Sequence, residues 1–277
     1  MTFPVLTSKD NPLIRTIRLV AERQRRAPAD LVVAEGIRVL EEAERAGCRF
    51  EAVLASEAFG AMPRERRLLE AWTASNVTVR RAAPSLLKQL SDVVSPQGAV
   101  ALVQVPVLEL AGLRLPGDPL ILCLCGIQDP GNVGALLRSA LATGVAVVCS
   151  IAGTASARNP KAVRAGAGAF FRLPVVEGLQ PPEVSDFCGN NGIPMFQAAA
   201  RARRSFWTVN LKSAVAILLG NETRGVAESA WQDVPALRIP MTSGVESLNV
   251  SAAGSVLLFE AFRQRSGAAA REVESDE

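Results

Sequence analysis

The 277 residues predict an α/β protein in two parts, and three observations carry that reading. Apolar runs of strand length alternate with segments of helical periodicity along the chain. In the second half those runs, Leu120–Cys125 and Ala214–Leu219 among them, are apolar without alternation, as in a parallel sheet covered by helices on both faces. Between the halves, Pro106, Pro116 and Pro119 interrupt the pattern and mark a linker over residues 106–118. A smaller N-terminal α/β domain over 1–105 and a larger one over 119–266 follow, and the small, acidic stretch 267–277 reads as a disordered tail.

The elements take their places in order. Thr7 to Asn11 offers capping side chains ahead of Pro12, a helix start, and Leu13, Ile14, Ile17 and Val20 then recur at helical spacing. Arg15, Arg18, Glu22, Arg25 and Arg26 fall on the opposite face at 100° per residue. That face reads either as a solvated surface or as a phosphate-binding stripe, and composition alone favours the first. Leu31–Ala34 is a strand, Glu35-Gly36 a turn, and Ile37 to Ala46 a helix; Val53–Ala55, Val77–Val79 and Ala99–Val105 are further strands. In the second part, Leu120–Cys125, Val145–Ser150, Ile193–Gln197 and Ala214–Leu219 read as strands, with helices over Gly134–Ala142 and Ser247–Arg265.

Composition removes whole classes of chemistry. The chain has no His and no Tyr, so Ser-His-Asp triads, Cys-His pairs and His-ligated zinc are excluded. Any general base comes from Asp, Glu, Lys, Cys or the substrate. The five cysteines lack paired CxxC spacing, and Cys123 and Cys125 sit on one side of an apolar strand as small hydrophobes, so no metal is expected. Thirty basic and 27 acidic residues give a net charge of +3, which permits an anionic partner without requiring one. The N-terminus lacks a signal pattern and no apolar run reaches membrane-spanning length, so a soluble cytoplasmic protein is expected.

Three loops at expected strand ends carry unusual polar residues, which is where ligands gather in open α/β sheets. Asp129-Pro130-Gly131-Asn132-Val133-Gly134 reads as a tight glycine turn into a helix carrying Arg138, so that Asn132 and Arg138 could face one pocket. Gly220 and Gly225 bracket Glu222, which could complement a helix dipole or orient a substrate hydroxyl or a positive group. In the run Ile239 to Ser251, Ser247 is a natural helix N-cap, whereas Asn249 two residues on is harder to explain by capping. No GxSxG elbow exists and no His could activate Ser247.

Together the three segments resemble the SpoU (TrmH) class of RNA 2′-O-ribose methyltransferases. Asn132, Gly134, Arg138 and Ala140 match its N-x-G-x-x-x-R-x-A motif, and Leu219, Gly220, Glu222 and Gly225 its L-G-x-E-x-x-G motif. Ile239, Pro240, Met241, Ser247, Leu248, Asn249, Val250 and Ser251 match the third motif, and Asn159 to Pro174 resembles the linking region. Order and spacing over about 150 residues make the set specific. The Asn11-Pro12 helix and the Glu35-Gly36 turn are similar to the L30e-like RNA-binding domain of many members.

The resemblance implies a parallel sheet with a trefoil knot, a homodimer with the active site at its interface, and S-adenosyl-L-methionine as cofactor. It places the cofactor against Ala198, Gly220, Ile239, Met241 and Leu248, and catalysis on Asn132, Arg138, Glu222, Ser247 and Asn249. No G-x-G-x-x-G fingerprint or GxxxxGK[ST] loop offers a conventional dinucleotide or NTP site. RNA is the expected partner, ribosomal rather than transfer RNA, held by Arg15, Arg18, Arg25, Arg26, Arg158, Lys161 and Arg164; residues 158–172 contain no acid. The alternatives are a transfer-RNA 2′-O-methyltransferase and a catalytically inactive RNA-binding protein on the same fold.

Overall fold

A computed structural model describes residues 5–91, 97–221, 225–226 and 231–266. In chain order its elements are α1 (Pro12–Ala21), β1 (Leu31–Glu35), α2 (Ile37–Arg45), β2 (Arg49–Ala55), α3 (Pro63–Ala74), β3 (Val79–Arg81), α4 (Pro84–Leu90) and β4 (Ala99–Gln104). There follow β5 (Leu120–Cys125), α5 (Pro130–Ala142), β6 (Val147–Ile151), α6 (Pro160–Ala165), β7 (Val175–Leu179), α7 (Pro181–Asn190), β8 (Met195–Ala198), β9 (Arg204–Ser205), β10 (Val215–Gly220), β11 (Ala236–Arg238) and α8 (Val250–Ser266). The chain forms two compact units, Met1–Val107 with Arg158–Arg172, and Leu108–Ala157 with Leu173–Glu277.

In the first unit the sheet order is β1-β4-β2-β3, with β4 antiparallel to both neighbours and β3 parallel to β2. Asn11 caps α1 by accepting from the Leu13 amide at 3.0 Å, and Pro12 takes the first helical position, where its missing N–H costs nothing. Ile14, Ile17 and Val20 are the buried stripe of that helix and join Val33, Leu54 and Leu102 in one core. The helix ends at Ala21, and Arg23 follows with a left-handed φ of 53°. Arg25 and Arg26, expected on the polar face of α1, therefore lie beyond it in the turn before β1.

The connection between β6 and β7 belongs to this unit. Gly168 has a φ of +83°, and a Cβ there would meet the Glu42 side chain at 2.8 Å and the Val39 backbone at 3.3 Å, so α2 accepts only glycine at this contact. Arg158 is 5% exposed, with its guanidinium on the carbonyls of Val105 and Pro106 at 3.2 and 2.8 Å and over the Phe170 ring. Arg164 pairs with the buried Glu35 carboxylate at 3.0 Å, and Ser91 also donates to Glu35.

The second unit is built, among the described residues, on a seven-stranded sheet in the order β7-β6-β5-β10-β8-β11-β9, with parallel pairing throughout. The uninterrupted apolar runs are its central strands; β5 is buried at all six positions. Cys123, Cys125, Cys149 and Cys188 are buried with Ile121, Val147, Leu218 and Trp231. The segment expected as a linker packs instead: Leu110 is buried against this core, with Leu108, Leu113 and Leu115 partly buried beside it. Its prolines break regular structure, but its alternate leucines supply enough apolar surface to dock it. Ser139 on α5 and Ser255 on α8 share a hydrogen bond of 2.7 Å.

Candidate active site

Strand order in the second unit changes direction between β5 and β10. The chain runs β5, β6, β7 one way, while β10, β8, β11 and β9 lie the other way. Ligand sites of open parallel sheets form outside the carboxyl ends of the strands at such a switch. A cleft of about 840 Å³ lies on the β10 side of this switch, bounded by the ends of β8, β10 and β11 and by the segment 239–248.

Ala198, Gly220, Ile239, Met241 and Leu248, scattered over 51 positions, all line it. Gly220 is required by a close backbone approach: a Cβ there would lie 2.0 Å from the Gly225 carbonyl carbon and 2.3 Å from the Val226 nitrogen. The chain returns so tightly that Gly225 donates its amide to the Asn221 carbonyl at 2.8 Å. Leu219, Leu237, Ile239 and Leu248 add apolar wall, and Arg201, Arg238 and Glu246 bring charge to the lining. Leu237 and Arg238 escape a reading of the sequence because β11 is three residues long, too short for a period-2 signal.

The helix boundaries near the catalytic candidates differ from expectation. The α5 helix begins at Pro130, with Asp129 as its cap accepting from the Gly131 amide at 3.1 Å. Gly131 and Gly134 are thus helical rather than a glycine turn, because Pro at the first helical position starts a helix where Pro-Gly suggested a bend. The α8 helix begins at Val250, and its cap is Asn249, not Ser247. The Asn249 Oδ1 accepts from the Ser251 amide at 2.9 Å and the Ser251 hydroxyl at 2.6 Å, and its Nδ2 donates to Asn132 Oδ1 at 3.1 Å. One amide therefore starts α8 and ties it to the first turn of α5. Ser247 is left on the cleft wall.

Arg138 is exposed on α5 and does not line this cleft. Six residues from Asn132, it sits roughly 120° around the helix from it, so the two do not share a face. Glu222 lies outside the described residues, as does the tail 267–277. Of the cations expected on RNA, Arg15, Arg25, Arg26 and Lys161 are exposed, and Arg18 is half-buried and donates to Gln89 at 3.1 Å. Arg158 and Arg164 are placed differently from these: both guanidiniums are engaged inside the first unit, on two carbonyls and on Glu35. A buried arginine leaves no local trace in sequence, since its acceptors come from residues 52 to 129 positions away. Among the described residues no cluster of His, Cys, Asp or Glu could hold a metal, and no helix is long and apolar enough to cross a membrane.

Comparison with known proteins decides the family. A model described as the SpoU rRNA methylase family matches residues 119–259. The chain belongs to the SpoU rRNA methylase family. A second model, the MRM3-like substrate binding domain, matches residues 11–101. The 23S rRNA (guanosine-2′-O-)-methyltransferase RlmB of Xanthomonas axonopodis pv. citri is 35% identical over 219 residues, 76% of this chain and 88% of that protein. A crystal structure of an RNA 2′-O ribose methyltransferase is 34% identical, with a TM-score of 0.80 over 95% of this chain and 99% of that one. The SpoU methyltransferase AviRb from Streptomyces viridochromogenes, solved in complex with AdoMet, is 26% identical with a TM-score of 0.81, over 93% of this chain and 100% of that one. As a SpoU-family member the chain is an RNA methyltransferase, and its cleft is to be understood in that light.

Proposed function

We propose that this SpoU-family enzyme methylates a ribose 2′-hydroxyl of large-subunit ribosomal RNA, using S-adenosyl-L-methionine held in the cleft at the ends of β8, β10 and β11. The observation that carries the reading is the convergence of Ala198, Gly220, Ile239, Met241 and Leu248 on one cavity, with the Asn132–Asn249 bond joining α5 to α8 where the 239–248 segment ends. The cavity suits the group. Its volume falls in the usual ligand range, its walls are largely aliphatic, and the Gly220 approach leaves a strand end with no side chain in the way. When bound, S-adenosyl-L-methionine supplies an electrophilic methyl group on a positively charged sulfur.

The protein's own share is positioning. Aligning a nucleophile for in-line attack is worth roughly 7–11 kcal/mol where geometry is good. Asn132 and Asn249 fix the two helix starts relative to each other, and Ser247 offers a hydroxyl on the cleft wall. Arg138 acts as a bidentate clamp on the phosphate beside the target ribose and polarises the 2′-hydroxyl. A guanidinium stays protonated at neutral pH and so does not serve as a proton acceptor. The proton leaves through the phosphate, water or Glu222. Arg138→Lys keeps the charge and removes the fork, so kcat is expected to fall at least tenfold; near-normal turnover would overturn the clamp.

The working form is a homodimer. The α8 helix exposes Val256, Phe259 and Phe262 at spacings of three, with the two phenylalanine rings 6.4 Å apart, an apolar stripe fit to be covered by a second copy. Arg138, outside its own chain's cleft, then serves at the interface. The chain takes the trefoil path, with the segment after β11 returning to lay α8 across α5. Binding of S-adenosyl-L-methionine by calorimetry tests the core of the proposal: the wild type is expected to bind at about 1:1 per chain and Gly220→Val not at all. Absence of wild-type binding would contradict it.

A further inference from the structure

We propose that the β8–β9 loop and the turn after it form a stacking platform for an unpaired RNA base next to the target nucleotide, with Trp207 as the platform. The proposal rests on the methyltransferase reading and adds the state of the RNA that the site accepts.

Of the three tryptophans in the chain, Trp72 and Trp231 are 0% and 1% exposed, while Trp207 is 64% exposed. Its indole is nonetheless held on a fixed base. Phe206, 4% exposed, packs beneath with ring centroids 5.6 Å apart, Ser205 accepts from the Trp207 amide at 3.3 Å, and Thr208 donates to the Ser205 carbonyl at 2.9 Å. A large apolar ring kept in solvent on a pinned turn indicates a ligand rather than a core role.

The surroundings select the ligand. Residues 199–212 hold Arg201, Arg203, Arg204 and Lys212 and no acid, and Arg201 lines the cleft. The same loop thus begins at the proposed methyl-transfer cavity and ends at the exposed indole beside β9, the edge strand of the sheet. A cationic run interleaved with an exposed aromatic is the chemistry of single-stranded nucleic acid: arginines take phosphates while the ring stacks on a base. A paired base has its faces covered by its own neighbours, so the platform requires the flanking nucleotide to be unpaired.

Because Trp207 is the solvent-exposed indole, its fluorescence reads the contact directly. The full chain is titrated with a 12-nucleotide single-stranded RNA, with the same RNA as a duplex, and with polyphosphate, while acrylamide quenching is followed. The single strand is expected to quench Trp207 and shield it from acrylamide; duplex and polyphosphate are expected to bind without either effect. Trp207→Ala is expected to weaken single-strand binding about ten- to a hundred-fold and raise KM for RNA more than it lowers kcat, and Trp207→Phe to recover part of both. Calorimetric binding of S-adenosyl-L-methionine to Trp207→Ala is expected to match the wild type, which separates failure of the platform from failure of the methyltransferase reading. Equal RNA affinity in Trp207→Ala, equal quenching by the duplex, or an indole already shielded in the protein alone, as a second protein copy seated on it would produce, overturns the platform.

Discussion

Asn249 performs two tasks with one amide, and substitution can separate them. Asp at this position keeps the oxygen that caps α8 and loses the donor to Asn132. Asn249→Asp is therefore expected to unfold within about 2 °C of the wild type yet lose methyl transfer at least tenfold. Asn249→Ala should also lose about 1 kcal/mol of stability, read from denaturant midpoints. If the Asp variant retains full turnover, methyl transfer does not depend on the bond to Asn132. Among the thiols, burial pushes Cys188 up to about 12, and Cys123, beside Cys149, lies well above the usual range. Burial shields the four core cysteines from reagent, so alkylation of the folded protein should reach half-buried Cys48 first and the others only on unfolding. Rapid labelling of Cys123 or Cys149 in the native state would contradict their placement.

The 158–172 segment shows where local signals stop at the level of the element. Four basic residues without an acid read as a face for RNA, yet Glu35, 129 residues from Arg164, supplies the missing acid from β1. Removing one partner of a buried ion pair leaves a charge without its counterion and typically costs about 3–5 kcal/mol. Glu35→Ala and Arg164→Ala are each expected to destabilise strongly in chemical denaturation, and the double variant by clearly less than their sum. Additive losses would mean the pair contributes nothing as a pair. The strands β5 and β10 are legible because both faces are covered, which writes a continuous apolar run into the chain. Short β9 and β11 carry too few residues for any period, and α3 buries only Leu68 and Trp72, too sparse a stripe to register. The starts of α5 and α8 escape a local reading because Pro130 and Ser247 each suit two roles, and a hydrogen bond spanning 117 residues decides the second.

For the whole molecule, motif order carries what periodicity does not. Five positions that the family resemblance assigns to the cofactor line one cleft, whereas the exposed platform at Trp207 has no such signature. Charge at the molecular scale is modest, so RNA affinity is expected to depend on local clusters and to fall steeply as salt rises. Replacing exposed Arg15 or Arg25 by Ala should lower the slope of log affinity against log salt by about 1 for each phosphate that the side chain neutralises. Arg158→Ala should leave that slope unchanged while destabilising the fold, since its guanidinium serves carbonyls within the first unit. A flat salt response of the wild type would count against the basic surface altogether. The most direct test of the function is methyl transfer in vitro from isotopically labelled S-adenosyl-L-methionine to unmodified large-subunit ribosomal RNA, with the product mapped nucleotide by nucleotide. The expected result is label on a single ribose 2′-oxygen, lost in the Asn249→Asp enzyme; label on a base, or none on ribosomal RNA while transfer RNA is labelled, would contradict it.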